Sequence, residues 1–161
     1  MAKEYWLSTS EKNSLRSYNW WLFRGVNKSL RLWEISESIK EHIKNISAAL
    51  KKLPVYKWEV YRWTKMTDEL YNEVYWSVKK WDIITEKWFT SSSANSNYAD
   101  HYSDTFWTPN TKSIHIKITS KNWKFSLNWS EEEILFNHWT KFKVTDKTEN
   151  WADVFISLEE I

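Results

Sequence analysis

The chain is expected to adopt an α+β fold in which helices come first and strands follow, and three observations carry that expectation. In the first third, Ile35, Ile39, Ile43, Ile46 and Leu50 recur at spacings of three and four, the period of one helical face. In the second half the period is two, with Ile114, Ile116 and Ile118 alternating with His115 and Lys117. The two patterns are segregated along the chain, with no internal repeat, low-complexity tract or linker rich in Pro, Gly or Ser. A length of 161 residues suits a single domain covering 1–161.

Taken in order, the region from Ser10 to Leu53 is expected to be helical, with Ser36-Glu37 opening the striped helix and Pro54 closing it. Glu59-Val60-Tyr61-Arg62 reads as a strand, and Thr67-Asp68-Glu69 begins a helix reaching Val78. Asp82-Ile83-Ile84 and Phe89-Thr90-Ser91 read as strands, whereas Ser92 to Ser103 is small, polar and expected to be a partly helical functional loop. The Ile114 to Ile118 strand and Lys124-Phe125-Ser126-Leu127, separated by Asn122-Trp123, read as a hairpin. Ile134-Leu135-Phe136, Phe142-Lys143-Val144 and Val154-Phe155-Ile156-Ser157-Leu158 bring the strands to at least six.

Composition removes several function classes. Cys is absent, which excludes disulfides, thiolate metal sites and cysteine nucleophiles. His42, His101, His115 and His138 lack zinc-site spacing, so no metal is expected. The net charge of +2 arises from 23 basic and 21 acidic side chains mixed along the chain, unlike a nucleic-acid footprint. Neither a membrane span nor a signal peptide is visible, so a soluble chain is expected, and a monomer.

The anomaly is 14 Trp beside 1 Gly, where ordinary usage near 7% would give about 11 Gly. Trp follows Asn at Asn19-Trp20, Asn122-Trp123, Asn128-Trp129 and Asn150-Trp151, and Trp81, Trp107 and Trp139 also sit at breaks between patterned segments. Turns of this kind need positive φ, which Gly adopts freely and a bulky aromatic only with strain. The hypothesis that follows is that UGA codons meaning Gly in the source were translated as Trp, in keeping with the Lys-, Asn- and Ile-rich composition. The competing reading is a noncatalytic Trp-rich binding module with genuine stacking platforms.

Glu131-Glu132-Glu133, leading into Ile134-Leu135-Phe136, is the strongest local chemical feature. In an extended segment Glu131 and Glu133 share a face while Glu132 points away. Two such carboxylates suit charge developing toward a cation, a sugar oxocarbenium or a guanidinium. On composition alone the same run fits a solvated strand edge that discourages aggregation.

Val60-Tyr61-Arg62, Phe89-Thr90-Ser91-Ser92-Ser93 and Glu131-Glu132-Glu133-Ile134-Leu135 occur in the order of the arginine, serine and glutamate motifs of ADP-ribosylating exotoxins, which the chain resembles over about residues 10–158. Tyr18, Asn27, Leu30-Arg31 and the run Asn137 to Val144 extend the likeness, most closely to the binary actin-modifying toxins. Restoring Gly at Trp63, Trp88 and Trp139 makes it closer still.

The resemblance implies N-terminal helices on two facing, mainly antiparallel sheets with an NAD cleft between them. It implies an NAD-dependent mono-ADP-ribosyltransferase acting on a protein arginine, NAD being substrate, actin one candidate acceptor, and the chain a toxin or effector that is secreted or delivered. Within it Arg62 would grip the NAD phosphate, the backbone of Trp63 would hold the nicotinamide amide, and Ser91 would brace Glu133. Glu133 would hold the ribose and stabilise the oxocarbenium-like state, and Glu131 would orient and deprotonate the arginine acceptor. Tyr18 and Asn27 would either contact NAD or serve as packing or capping residues. Lys112 stands where the family has a further NAD-binding arginine. An NAD glycohydrolase on the same fold is the alternative enzyme.

Overall fold

In the computed structural model the described residues are 6–96, 110–121, 123–125 and 133–161. Glu131, His101, Trp107, Trp129, Asn122, Asn128, Ser126-Leu127 and most of the expected loop from Ser92 to Ser103 therefore lie outside them.

The helical portion divides into α1 (Thr9–Ser17), a π-helical turn (Tyr18–Leu22), α2 (Phe23–Leu32) and α3 (Glu37–Lys52). Ser8 caps α1 through a reciprocal box with Glu11. The Glu11 carboxylate also accepts from Lys52 Nζ at 2.7 Å, which ties the start of α1 to the end of α3. Ser36 Oγ accepts from Ile39 N at 3.4 Å at the head of α3. Ser36 and Pro54 thus bracket this helix as the sequence predicts, and Ile43, Ile46 and Leu50 form its buried stripe.

The strands are β1 (Val55–Tyr56), β2 (Glu59–Thr67), β3 (Ile83–Glu86), β4 (Thr90–Ser93), β5 (Thr111–Thr119), β6 (Trp123–Phe125), β7 (Glu133–Phe136), β8 (Thr140–Asn150) and β9 (Asp153–Glu160). The helix α4 (Asp68–Val74) follows β2, with Thr67 Oγ1 accepting from Leu70 N at 3.2 Å. It stops at Val74 rather than Val78, because Tyr75 leaves helical geometry and turns its ring into the core.

Hydrogen bonding joins all strands in the order β1-β6-β7-β4-β2-β5-β9-β8-β3, antiparallel except for β5 with β9. The two facing sheets expected from the family are nonetheless visible as two halves, joined by the one β2–β4 rung Tyr61↔Ser93. Ile134 and Phe136 of one half share a core with Val60, Ile114, Ile116, Ile118, Val144, Val154, Ile156 and Leu158 of the other. Leu135, one residue out of phase, turns to the opposite face and packs with Leu15, Tyr18, Val26, Ile46 and Leu50 of the helical layer. The expected hairpin between β5 and β6 does not form. β2 and β9 occupy both edges of β5, and β6 pairs with β1 and β7 instead.

The tryptophans behave as the sequence hypothesis requires at some positions and not at others. Among the described residues the positive-φ positions are Trp33, Trp81, Asn110, Trp139 and Trp151, while the one Gly, Gly25, lies inside α2. Trp33 is the left-handed C-cap of α2 with φ 59°, the place where helices favour Gly. Trp151 opens a two-residue hairpin loop between the paired Asn150 and Asp153, with φ 48°. Trp20, by contrast, lies in the π-helical turn, Trp63 in β2, and Trp88 is buried, none with positive φ.

Replacing Trp33, Trp81, Trp139 and Trp151 by Gly is expected to raise the unfolding free energy by about 1 kcal/mol per site as left-handed strain is relieved. Trp20→Gly, inside a helical turn, is expected to lower it by roughly half a kcal/mol. Urea denaturation of the five variants checks the contrast. Equal effects at all five sites would remove the conformational argument, and UGG codons at these sites would remove the translational one.

Candidate active site

β4 and β7 form the floor of the site. Their register pairs Ser91 with Leu135 and Ser93 with Glu133, so Ser91 and Glu133 are diagonal neighbours on one face. Ser91 Oγ donates to Glu133 Oε1 at 2.7 Å. The structure thus joins these two residues directly.

Arg62 reaches the same place from the other half-sheet. Its Nη1 donates to the Ser91 carbonyl oxygen at 2.8 Å. It makes this reach where β2 and β4 part company beyond the Tyr61↔Ser93 rung. Arg62, Ser91 and Glu133, far apart in sequence, thus converge on the first residues of β4.

Tyr18 and Asn27 act on the residue before β4. Asn27 Nδ2 donates to the Phe89 carbonyl at 3.2 Å and Asn27 Oδ1 accepts from Phe89 N at 3.2 Å, so one side-chain amide satisfies both sides of one residue's backbone. Tyr18 Oη donates to the same carbonyl at 3.3 Å and accepts from Asn27 Nδ2 at 3.0 Å. Burial pushes the Tyr18 phenol well above its ordinary pKa, opposed by the Asn27 bond and the Arg62 charge and reinforced by Glu133. The structure thus assigns this pair the fixing of β4 against the helices.

The remaining expected residues are distributed differently. Trp63 places its indole on the face of β2 opposite Arg62, edge-on to His115 at 4.3 Å. Lys112 is opposite Met66, four register positions from the Arg62↔Ile116 pair, roughly 13 Å along the strand. Its Nζ donates to the Trp151 carbonyl at 3.0 Å, and the structure does not bring it to Ser91 and Glu133. Glu131, two residues before Glu133, lies outside the described residues.

Of three further groups around the site, Glu86 escaped the sequence reading, while Arg31 and His138 were named there without a role. Glu86, at the end of β3, is buried and accepts from Tyr75 Oη at 2.7 Å. Arg31 lies with its guanidinium 5.1 Å from the Trp88 ring centroid. His138 meets the Phe89 ring edge-on at 5.1 Å, and burial together with Lys51 holds its pKa below the ordinary value. The available signal was the inward phase of Glu86 with Ile84 in a short strand. Among the described residues no group of three His, Asp or Glu is placed to hold a metal, and no helix is long and apolar enough to cross a membrane.

An arginine, a serine and a glutamate thus meet where two half-sheets diverge beneath a helical layer. The sequence profile of the ADP-ribosyltransferase exoenzyme family matches residues 2–154, and the chain belongs to that family. No curated protein sequence matches. Among solved structures, the Vis toxin, an ADP-ribosyltransferase from Vibrio splendidus, superposes with a TM-score of 0.79 at 22% identity, over 97% of this chain and 75% of its own. Exoenzyme S from Pseudomonas aeruginosa, solved with human 14-3-3 protein beta and carba-NAD, gives 0.76 at 19% identity over 95% and 74%. The C3 exoenzyme of Clostridium limosum gives 0.70 at 16% identity over 98% and 87%. At these identities the likeness is one of fold.

Asn27→Ala leaves the Phe89 N–H and carbonyl without their partner and is expected to cost about 1–3 kcal/mol in chemical denaturation. His138 resists protonation in the folded state, so below its ordinary pKa of 6.5 the unfolded chain binds the extra proton and stability falls as pH drops. His138→Asn is expected to flatten that acid-side loss in unfolding measured between pH 7 and 5. An unchanged slope would assign the loss to other groups.

Proposed function

We propose that the chain is an NAD-dependent mono-ADP-ribosyltransferase that transfers ADP-ribose to an arginine of a target protein, with NAD as substrate. The observation that carries this reading is the Ser91 Oγ to Glu133 Oε1 hydrogen bond of 2.7 Å, with the Arg62 guanidinium anchored to the Ser91 carbonyl at 2.8 Å. A carboxylate fixed by Ser91 is held ready for the reaction, and its charge favours the oxocarbenium-like state formed as nicotinamide leaves. Arg62, permanently charged and forked, suits the diphosphate.

Glu131 supplies the arginine preference in this proposal. A guanidinium must be oriented and relieved of a proton before it can attack the anomeric carbon, and a second carboxylate two positions before Glu133 suits both tasks. The Vis toxin has been crystallised with agmatine, a guanidinium compound, which supports testing that acceptor first. The proposed acceptor is therefore a guanidinium side chain on a protein surface, and the chain's place that of a toxin or effector.

Nicotinamide release from NAD, measured with and without agmatine in protein carrying Gly at Trp33, Trp81, Trp139 and Trp151, tests the proposal. Glu133→Gln is expected to lower release by roughly 100- to 1000-fold, the usual cost of removing a principal electrostatic contributor. Glu131→Gln is expected to abolish the stimulation by agmatine while leaving hydrolysis of NAD. Release that agmatine does not stimulate in the parent protein would favour the glycohydrolase, and no release from folded protein would overturn the enzymatic assignment.

A further inference from the structure

Glu86 is a buried carboxylate that the reaction as proposed does not use. It ends β3, opposite Thr140 of β8, and is 4% exposed. Oε1 accepts from the buried Tyr75 hydroxyl at 2.7 Å, while Oε2 is buried with no hydrogen-bond partner among the described residues. Burial pushes its pKa up, opposed by the Tyr75 hydrogen bond and by the charges of Arg62 and Arg31. An acid placed there without purpose would be costly, because an unpaired polar atom loses its solvation and gains nothing in return.

Its surroundings supply the purpose. Arg62 comes from β2 and Arg31 from the last turn of α2, so one guanidinium belongs to the sheet and the other to the helical layer. Arg31 Nε is a second buried atom without a hydrogen-bond partner among the described residues, and the guanidinium lies over the Trp88 ring at 5.1 Å. Trp88 follows Glu86 by two residues and immediately precedes Phe89, whose backbone Asn27 clamps. Both arginines are half-buried, and the charges of both act on the Glu86 carboxylate. Like charges repel across a poorly screened interior, and a buried anion near both offsets that repulsion.

We propose that Glu86 is a positioning residue: its buried carboxylate, held by Tyr75, is the fixed counter-charge that keeps Arg31 and Arg62 converged on the diphosphate of the bound nucleotide. Rested on the NAD reading above, this makes the nucleotide site a three-element device in which β3 sets the spacing of cations carried by α2 and β2. Without the charge the guanidiniums splay toward solvent, and the diphosphate meets them one at a time.

The test is calorimetric binding of carba-NAD, a non-hydrolysable analogue, to the parent chain, Glu86→Gln and Tyr75→Phe, with thermal unfolding of each. Glu86→Gln keeps the shape and an acceptor for Tyr75 and removes only the charge. We expect its Kd to rise about tenfold, and KM for NAD to rise by more than kcat falls. A purely structural role would lower Tm and leave Kd of the folded fraction unchanged, which overturns the proposal. Tighter binding, the result if Glu86 merely subtracts from the positive field, overturns it too. Should Glu86→Gln fail to fold, Tyr75→Phe decides: weaker binding supports the positioning role and unchanged binding refutes it. Failure of the parent chain to bind carba-NAD would instead overturn the NAD reading, and the role of Glu86 with it.

Discussion

The grip of Asn27 on the backbone of Phe89 is the constraint on which the rest of the site depends. β4 is a strand of four residues, paired with β7 on one side and on the other held to β2 by a single rung. Such a strand has little ladder of its own to fix its position, since each net hydrogen bond contributes only about 1 kcal/mol. The helical layer supplies what the sheet does not: Asn27 and Tyr18 saturate the peptide groups of Phe89, and Phe89 seats its ring against Tyr18 at 5.5 Å. Ser91, two residues on, inherits that position, and Glu133 inherits it from Ser91.

Phase along β4 and β7 then separates stability from chemistry. Ile134 and Phe136 face the core shared by the half-sheets, and Leu135 faces the helices. Glu133 shares the phase of Leu135, so the carboxylate emerges where the helix-facing side of the strand runs out of apolar cover. A slip of one residue in the β4–β7 register would bury Glu133 in the central core and expose Ile134. The apolar pattern of β7 therefore aims the Glu133 carboxylate as well as packing the fold.

What could be read from the sequence were features with a strong period or a local cap. α3 was legible between Ser36 and Pro54 because its stripe and its cap agreed, and β5 and β9 followed their alternating apolar residues. The Arg62, Ser91 and Glu133 convergence was legible through motif order alone, since no local rule links residues so far apart. β1, with two residues, was too short to show any period, while β6 was read as a strand but given the wrong partner. The β5–β6 pairing failed because turn chemistry was weighed without asking what already flanked β5. Glu86 was missed for a related reason: a charged residue in a short strand reads as solvent-facing until burial shows otherwise.

The tryptophans unite these threads. Trp81, Trp139 and Trp151 were singled out as punctuation from neighbouring residues alone, and all three adopt a φ that aromatic residues avoid. Trp33 escaped notice because Leu32 before it continues the helical pattern, yet it carries the same left-handed geometry at the end of α2. A genuine aromatic binding surface would select for exposed rings without selecting for left-handed backbone beneath them. Positive φ at Trp beside helical φ at Gly25 is the signature expected when glycine positions are written with the wrong side chain.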